Sequence, residues 1–257
     1  MGYIFNSNDA VAEEQWFDEP KNKSAIDLES QLMINLIRPL RGETVLDIGC
    51  GTGAGLLPFI EKGLSVTGLD PSRPMLDIAS KKLGNRADLH VGFAEDLPFD
   101  DNSFHHACLI RTLEFAEDPW KAVAEACRVA KNSIFIGLLN RYSLRVTRLR
   151  VARIFTRSVY NHAVFFSLWE IKQMIRMISG DVPVSWRTLC HFSRANGTIS
   201  RKIESSELIQ RCPFGAYAGM SVTLVPRFRT RPLELPCEAD TPSGAVAGLA
   251  RTKCSEK

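Results

Sequence analysis

An α/β fold, a doubly wound and mostly parallel sheet of seven strands, is predicted by three observations. Short β-branched apolar runs alternate with helical-period segments along most of the chain, a pattern that builds parallel sheets covered by helices on both faces. The run from Thr44 to Ile48 ends in an acid and a glycine turn, Asp47-Ile48-Gly49-Cys50-Gly51-Thr52-Gly53. A second run, Ser65 to Leu69, ends in another acid, Asp70. With 257 residues and the 45% hydrophobic content of an ordinary soluble protein, the chain has room for one large domain of this class and an appendage.

The polar stretch from Met1 to Ala12 is expected to be loosely held. Trp16 and Phe17 follow as adjacent aromatics, which by themselves read as anchors of the first helix to the core. That helix is predicted from Ser24 to Leu40, with Ile26, Leu28, Leu32, Met33, Leu36 and Ile37 on one face. After the first strand come a helix from Ala54 to Lys62, strand two, a helix from Ser72 to Leu83 capped by Ser72, and strand three at Asp88 to Val91. Strand four spans His105 to Ile110, a helix Pro119 to Val129, and strand five Ser133 to Leu139. Ser167 and Glu170 form a capping box for a helix from Leu168 to Ile178 that stops at Gly180. Val182 to Phe192 and Met220 to Pro226 complete the sheet. Residues 227–257, rich in Pro, small residues and charge, are expected to be disordered.

The glycine turn is the candidate site, because ligands of open α/β sheets gather at the carboxyl ends of the strands. Such turns often cradle a pyrophosphate. Asp47 argues against that, since its carboxylate repels phosphate and attracts an ammonium or sulfonium group. Asp70, about twenty residues beyond the turn, stands where a carboxylate accepts ribose hydroxyls. A ligand with a ribose and a cation but no phosphate is implied, and S-adenosylmethionine has that composition. A nicotinamide-dependent dehydrogenase is disfavoured by the same Asp47.

Three segments carry a family resemblance. They are Val45 through Gly53; Leu69-Asp70-Pro71-Ser72 with Met75-Leu76; and Gly92-Phe93-Ala94-Glu95-Asp96-Leu97-Pro98-Phe99 with Asp101-Asn102-Ser103-Phe104. Together they resemble the class I S-adenosylmethionine-dependent methyltransferases, in the branch with small-molecule and quinone-type methylases, over residues 44–139. The resemblance implies a Rossmann-like methyltransferase fold with a helical lid insertion and an antiparallel strand at an edge of the sheet, here Met220 to Pro226. It also implies an N-terminal lid over the cofactor, which Trp16 and Phe17 resemble, as an alternative to anchoring. It puts Asp47 near the methionine amino group, Gly49, Cys50 and Gly51 along the methionine and ribose, Asp70 on the ribose, Pro71 and Met75 beside the adenine, and Ala94 with Glu95 at its border. The family often has Asp where Phe93 stands, so adenine recognition here falls to the Ala94 backbone and ring packing. It often has a tyrosine near the position of Glu13. The product cofactor is S-adenosylhomocysteine, and no metal is required.

The catalytic residues are not fixed by the sequence. Arg111, Thr112 and Glu114 follow strand four, where Arg111 belongs near the methionine part of the cofactor. Glu114 is either a general base raised by burial or a capping and ion-pair residue. Tyr160 and His162 are weaker candidates. His105 and His106 open strand four, at the end away from the ligand, and are read as structural; His191 is read as a sheet residue.

Between Glu125 and Glu170 no acid occurs, while Arg141, Arg145, Arg148, Arg150, Arg153 and Arg157 crowd one segment. Leu144, Val151 and Phe155 mark its apolar stripe. This insertion, residues 140–169, is a solvated helix face, a lid for an anionic small-molecule acceptor, or a contact for a membrane surface or RNA. The expected division is 1–43 for the N-terminal lid and helix, 44–226 for the methyltransferase domain and 227–257 for the tail. A net charge of +3 does not announce nucleic acid. The seven cysteines show no C-x-x-C pair and read as reduced thiols of a cytoplasmic protein. A small-molecule methyltransferase is the first reading; an RNA or protein methyltransferase and a non-catalytic cofactor-binding partner subunit are the alternatives. Oligomeric state stays open.

Overall fold

The computed structural model describes residues 2–152, 159–190 and 206–224. Among them seven strands form one sheet: β1 (Thr44–Ile48), β2 (Ser65–Asp70), β3 (Ala87–Val91), β4 (Phe104–Ile110), β5 (Ala130–Leu139), β6 (Val184–Leu189) and β7 (Tyr217–Thr223). Their order is β3-β2-β1-β4-β5-β7-β6. Strands β1 to β5 pair in parallel. The order reverses between β1 and β4, so the carboxyl ends of these two strands border the ligand crevice of a doubly wound sheet.

One expectation about the sheet is corrected. The antiparallel strand β7 does not lie at an edge: it is inserted between β5 and β6 and pairs with both. Its register sets Tyr217 opposite Leu139 of β5, which brings the start of β7 to the ligand end of the sheet. A strand hydrogen-bonded on both sides and covered on both faces needs no polar alternation, and residues 217–222 are all buried.

Alternation along the strands divides the core. On one face α2 (Pro20–Ile37), α3 (Leu57–Glu61) and α4 (Arg73–Leu83) bring Leu32, Met33, Phe59, Leu76 and Leu83 against Val45, Val66 and Phe135. On the other, α5 (Pro119–Val129) and α7 (Leu168–Ser179) pack Val123, Ala126, Ile171 and Met174 against Leu46, Ile48, Leu109 and Ile134. Ser72 caps α4 through its hydroxyl, and Ser167 with Glu170 forms the reciprocal cap of α7.

The N-terminus departs from its reading as a loose polar stretch. Residues Ser7–Asp18 form α1, opened by a capping box in which the Asn6 side chain accepts from the Asp9 N–H and Asp9 accepts from the Asn6 N–H. The arm before it is tied at two points: the Tyr3 N–H donates to the Phe115 carbonyl (3.1 Å), and the Ser72 hydroxyl donates to the Phe5 carbonyl (2.7 Å). Lys82 of α4 pairs with Glu14.

The arginine-rich segment begins as α6 (Leu144–Ala152), whose packing differs from the expected stripe. Val146 is buried and Leu149 partly so, against Phe165, Ala163 and Leu139, whereas Leu144 and Val151 are exposed. So few apolar residues in a short helix permit two facings, and tertiary contact selects between them. Arg141 pairs with Glu170. His191, Arg153, Phe155, Arg157 and the tail 227–257 lie outside the described residues. Among the described residues, no helix is long and apolar enough to cross a membrane.

Candidate active site

Asp47 lies on β1, one residue before its end, and Asp70 ends β2. Both carboxylates line one cavity of about 330 Å³ at the carboxyl ends of the strands, within the size range of small-molecule sites. Gly49 and Gly51 shape its floor. Both have left-handed backbones, with φ of 74° and 51°, and a Cβ on Gly49 would sit 2.5 Å from the Thr112 side chain. Glycine is therefore required there on two counts, conformation and space.

Asp70 is held in place. Its Oδ2 accepts the Gly51 N–H (2.9 Å) and its Oδ1 the Ser72 N–H (2.8 Å). Each carboxylate oxygen keeps a lone pair for a ligand hydroxyl. Burial raises the Asp70 carboxyl while the two N–H donors draw it back. Asp47 is different: it is only 1% exposed, and its Oδ1 has no hydrogen-bond partner among the described residues. Burial, followed by the charge of Asp70, pushes it up to about 8. An orphaned buried carboxylate oxygen is costly unless a donor arrives, and a cationic donor is the best match.

The other predicted residues are distributed around the same space. Cys50, Pro71, Met75, Ala94, Glu95 and Arg111 all line the cavity, as does Phe93. The Cys50 sulfur turns toward Gly68, and burial pushes its thiol well above the ordinary range. Glu95 is committed in part to the N–H groups of Glu117 and Asp118. Arg111 has φ 57°, pairs with Glu29, and lies 5.3 Å from the Trp16 ring and 5.9 Å from that of Tyr217. Burial alone would lower its basicity, but the Glu29 carboxylate together with Tyr160, Tyr217 and Glu13 outweighs it and holds the guanidinium charged.

The catalytic candidates separate. Glu114 lines the cavity, is 2% exposed, and accepts the Leu139 N–H at Oε1 (2.9 Å), while its Oε2 has no partner among the described residues. Burial raises it to about 7, against the Leu139 bond. Tyr160 also lines the cavity. His162 does not: it is exposed and stacks on Tyr3 at 4.4 Å. His105 and His106 sit at the far end of β4, as expected; His106 is held by Glu43 (2.9 Å) and Ser133 (2.8 Å), and His105 meets Thr44. None of the described arginines of the segment 140–169 lines the cavity.

Sequence reasoning offered Trp16 and Phe17 as a lid but missed the helix that carries them, α1, and the other residues it brings to the roof. Asp9, Glu13, Trp16 and Phe17 of α1 line the cavity, with Tyr3 and Phe5 from the arm and Glu29 from α2. The spacing of Glu13, Trp16 and Phe17 is that of one helix face, the one signal that could have found it. Glu13 faces the glycine turn: a Cβ on Gly51 would lie 2.8 Å from its Oε1. Burial raises Glu13 to about 7, with Arg111 opposing and Asp70 assisting. A ligand bearing an ammonium group and a vicinal diol, and no phosphate, fits this donor and acceptor set. No group of His, Cys, Asp and Glu among the described residues is arranged to hold a metal ion.

A methyltransferase-domain family model matches residues 46–136. An uncharacterised protein of Methanocaldococcus jannaschii is 35% identical over 175 residues, which cover 66% of this chain and 79% of that one. The demethylmenaquinone methyltransferase of Renibacterium salmoninarum is 36% identical over 101 residues, but the match spans only 39% of this chain and 42% of the relative. Among solved structures, one from Thermotoga maritima described as an S-adenosylmethionine-dependent methyltransferase and possible histamine N-methyltransferase has a TM-score of 0.64, covering 84% of this chain and 96% of that chain at 24% identity. That last likeness is one of fold.

Proposed function

This chain belongs to the class I S-adenosylmethionine-dependent methyltransferases, and we propose that its methyl acceptor is a small molecule taken into the cavity beneath α1. The observation that carries this reading is the roof. The space beside Asp47 and Asp70 is bounded by Trp16 and Phe17 above and by Met33, Phe115, Tyr160 and Tyr217 around it, a lining suited to a small, largely apolar acceptor. The RNA reading rests on the arginine-rich segment, whose described members, Arg141, Arg145, Arg148 and Arg150, do not line that space.

The residues that would hold the cofactor follow from the acceptors they offer. Asp70 takes the ribose hydroxyls, with Glu13 facing the same turn. Asp47 takes the ammonium of the methionine part on its unpartnered Oδ1, and Gly49 and Gly51 let the ligand approach the backbone. Pro71, Met75, Phe93 and Ala94 flank the adenine. When bound, the cofactor supplies a methyl group already activated on a sulfonium, so transfer is an in-line displacement that asks the protein for proximity and exclusion of water. The aromatic roof excludes water. Arg111, fixed by Glu29 and Trp16, keeps its end of the cavity rigid.

Incubation with S-adenosylmethionine labelled in the methyl group tests the reading. Label is expected in the low-mass fraction of a metabolite extract and not in RNA or protein. Asp70→Ala should weaken S-adenosylhomocysteine binding by about tenfold or more in calorimetry, as loss of a charged hydrogen-bond acceptor costs about 1.5–3 kcal/mol. Label found only in macromolecules would overturn the small-molecule assignment.

A further inference from the structure

The cavity wall changes character along the sheet. Asp70 belongs to β2 and Asp47 to β1, so the groups suited to the cofactor occupy one side. Glu114 follows β4 and is bound to the last residue of β5, and Tyr217 opens β7; the sheet order puts these on the other side. Besides Asp47, Asp70 and Cys50, the ionisable groups lining the cavity are Asp9, Glu95 and Glu117, the pair Glu29 and Arg111, Glu114, the tyrosines, and Glu13 of the roof. Arg111 and Glu29 form an ion pair. Glu114 and Glu13 form none among the described residues, so whichever of them ionises adds negative charge that no ion pair offsets. Phe115, Tyr160 and Tyr217 add aromatic rings to the lining, beside the aliphatic Met33, Ile110 and Leu139.

Glu114 is the informative residue. The residue lines the cavity, its Oε2 is buried with no hydrogen-bond partner among the described residues, and its Oε1 is fixed by a backbone N–H. An anionic acceptor would bring like charge against a buried carboxylate. Resting on the methyltransferase reading, we propose that the acceptor is an amine, received as an ammonium by Glu114 Oε2, with its carbon body against the aromatic and aliphatic lining. Aromatic faces attract alkylammonium groups, so the wall suits both acceptor and methylated product. Glu114 takes one N–H proton, and the freed lone pair forms the N–C bond to the methyl carbon as the C–S bond breaks. The electrons of that bond remain on sulfur, which leaves as a neutral thioether. Burial has already raised Glu114 to about 7, which narrows the gap to the amine and makes it a better base than an ordinary carboxylate.

The test titrates full-length protein, saturated with S-adenosylhomocysteine, with phenethylamine, 2-phenylethanol, 4-ethylphenol and phenylacetate in a calorimeter. Phenethylamine is expected to bind at least tenfold more tightly than the two neutral probes, and phenylacetate most weakly. Glu114→Gln should abolish the amine's advantage while S-adenosylhomocysteine affinity stays within twofold. An amine no tighter than its alcohol, a tighter phenol or carboxylate, or a preference untouched by the substitution overturns the proposal. If Glu114→Gln loses the product cofactor as well, the ranking of the four probes on the unsubstituted protein decides. Failure to bind S-adenosylhomocysteine at all would instead sink the methyltransferase reading beneath it.

Discussion

Asp47 was recognisable before any fold was known, because an acid two residues ahead of a glycine turn has few uses in a buried strand. Asp70 was recognisable from its distance to that turn. Glu13 was not, since its position against Gly51 exists only once α1 has folded over the sheet. Glu114 lies between: its place after β4 was legible, whereas the bond to Leu139 that fixes one oxygen and leaves the other bare is a tertiary fact. The three raised carboxyls, Asp47 to about 8 and Glu13 and Glu114 to about 7, have a measurable consequence. Each binds its proton more tightly in the folded chain than in the unfolded one, so the stability it contributes is present at low pH and is lost as pH rises through the folded value. His106, lowered by burial, acts in the opposite sense and only below its ordinary range. Between pH 6.5 and 8.5 the melting temperature of the ligand-free protein should therefore fall. S-adenosylhomocysteine should raise it more at pH 8.5 than at pH 6.5, because its ammonium offsets the ionised Asp47. Asp47→Asn should flatten both trends; thermal melts at the two pH values would expose their absence.

At the scale of elements, α1 shows what pattern reading misses. It is a mostly polar helix with only Ala10 fully buried, so periodicity offered no core face; its start was written instead in a cap, Asn6 with Asp9. The helix earns its place as a roof, held by the Tyr3 and Phe5 backbone contacts and by Lys82 with Glu14. Asn6→Ala should cost about 1 kcal/mol of local helix stability. We expect it to weaken S-adenosylhomocysteine binding several-fold with little change in the global urea midpoint. An unchanged affinity would mean that α1 closes without its cap. In α6 the composition was legible and the facing was not: nine residues with four apolar side chains, Leu144, Val146, Leu149 and Val151, allow more than one buried face, and contact with Phe165 decides for Val146 and Leu149.

For the molecule as a whole, the alternation of strands and helices carried the architecture, and five parallel strands fell where β-branched runs placed them. The position of β7 was beyond sequence reading, because nothing local says whether an antiparallel strand will sit outside β6 or between β5 and β6. Its interior place depends on Gly219. A Cβ there would lie 2.3 Å from Leu32 of α2 and 3.0 Å from the Phe135 ring, so this glycine is where helix and sheet meet most closely. Gly219→Ala should destabilise the fold by about 1–3 kcal/mol, the usual cost of overpacking, read as a lowered urea midpoint; a neutral result would show that α2 shifts freely on the sheet. The central claim is that the crevice beneath α1 receives a cationic, unphosphorylated nucleoside through Asp47 and Asp70. A crystal structure with S-adenosylhomocysteine tests it most directly: the ribose hydroxyls should lie within hydrogen-bonding distance of the Asp70 carboxylate and the amino group beside Asp47. Density for the ligand elsewhere, or either carboxylate turned away from it, would contradict the account.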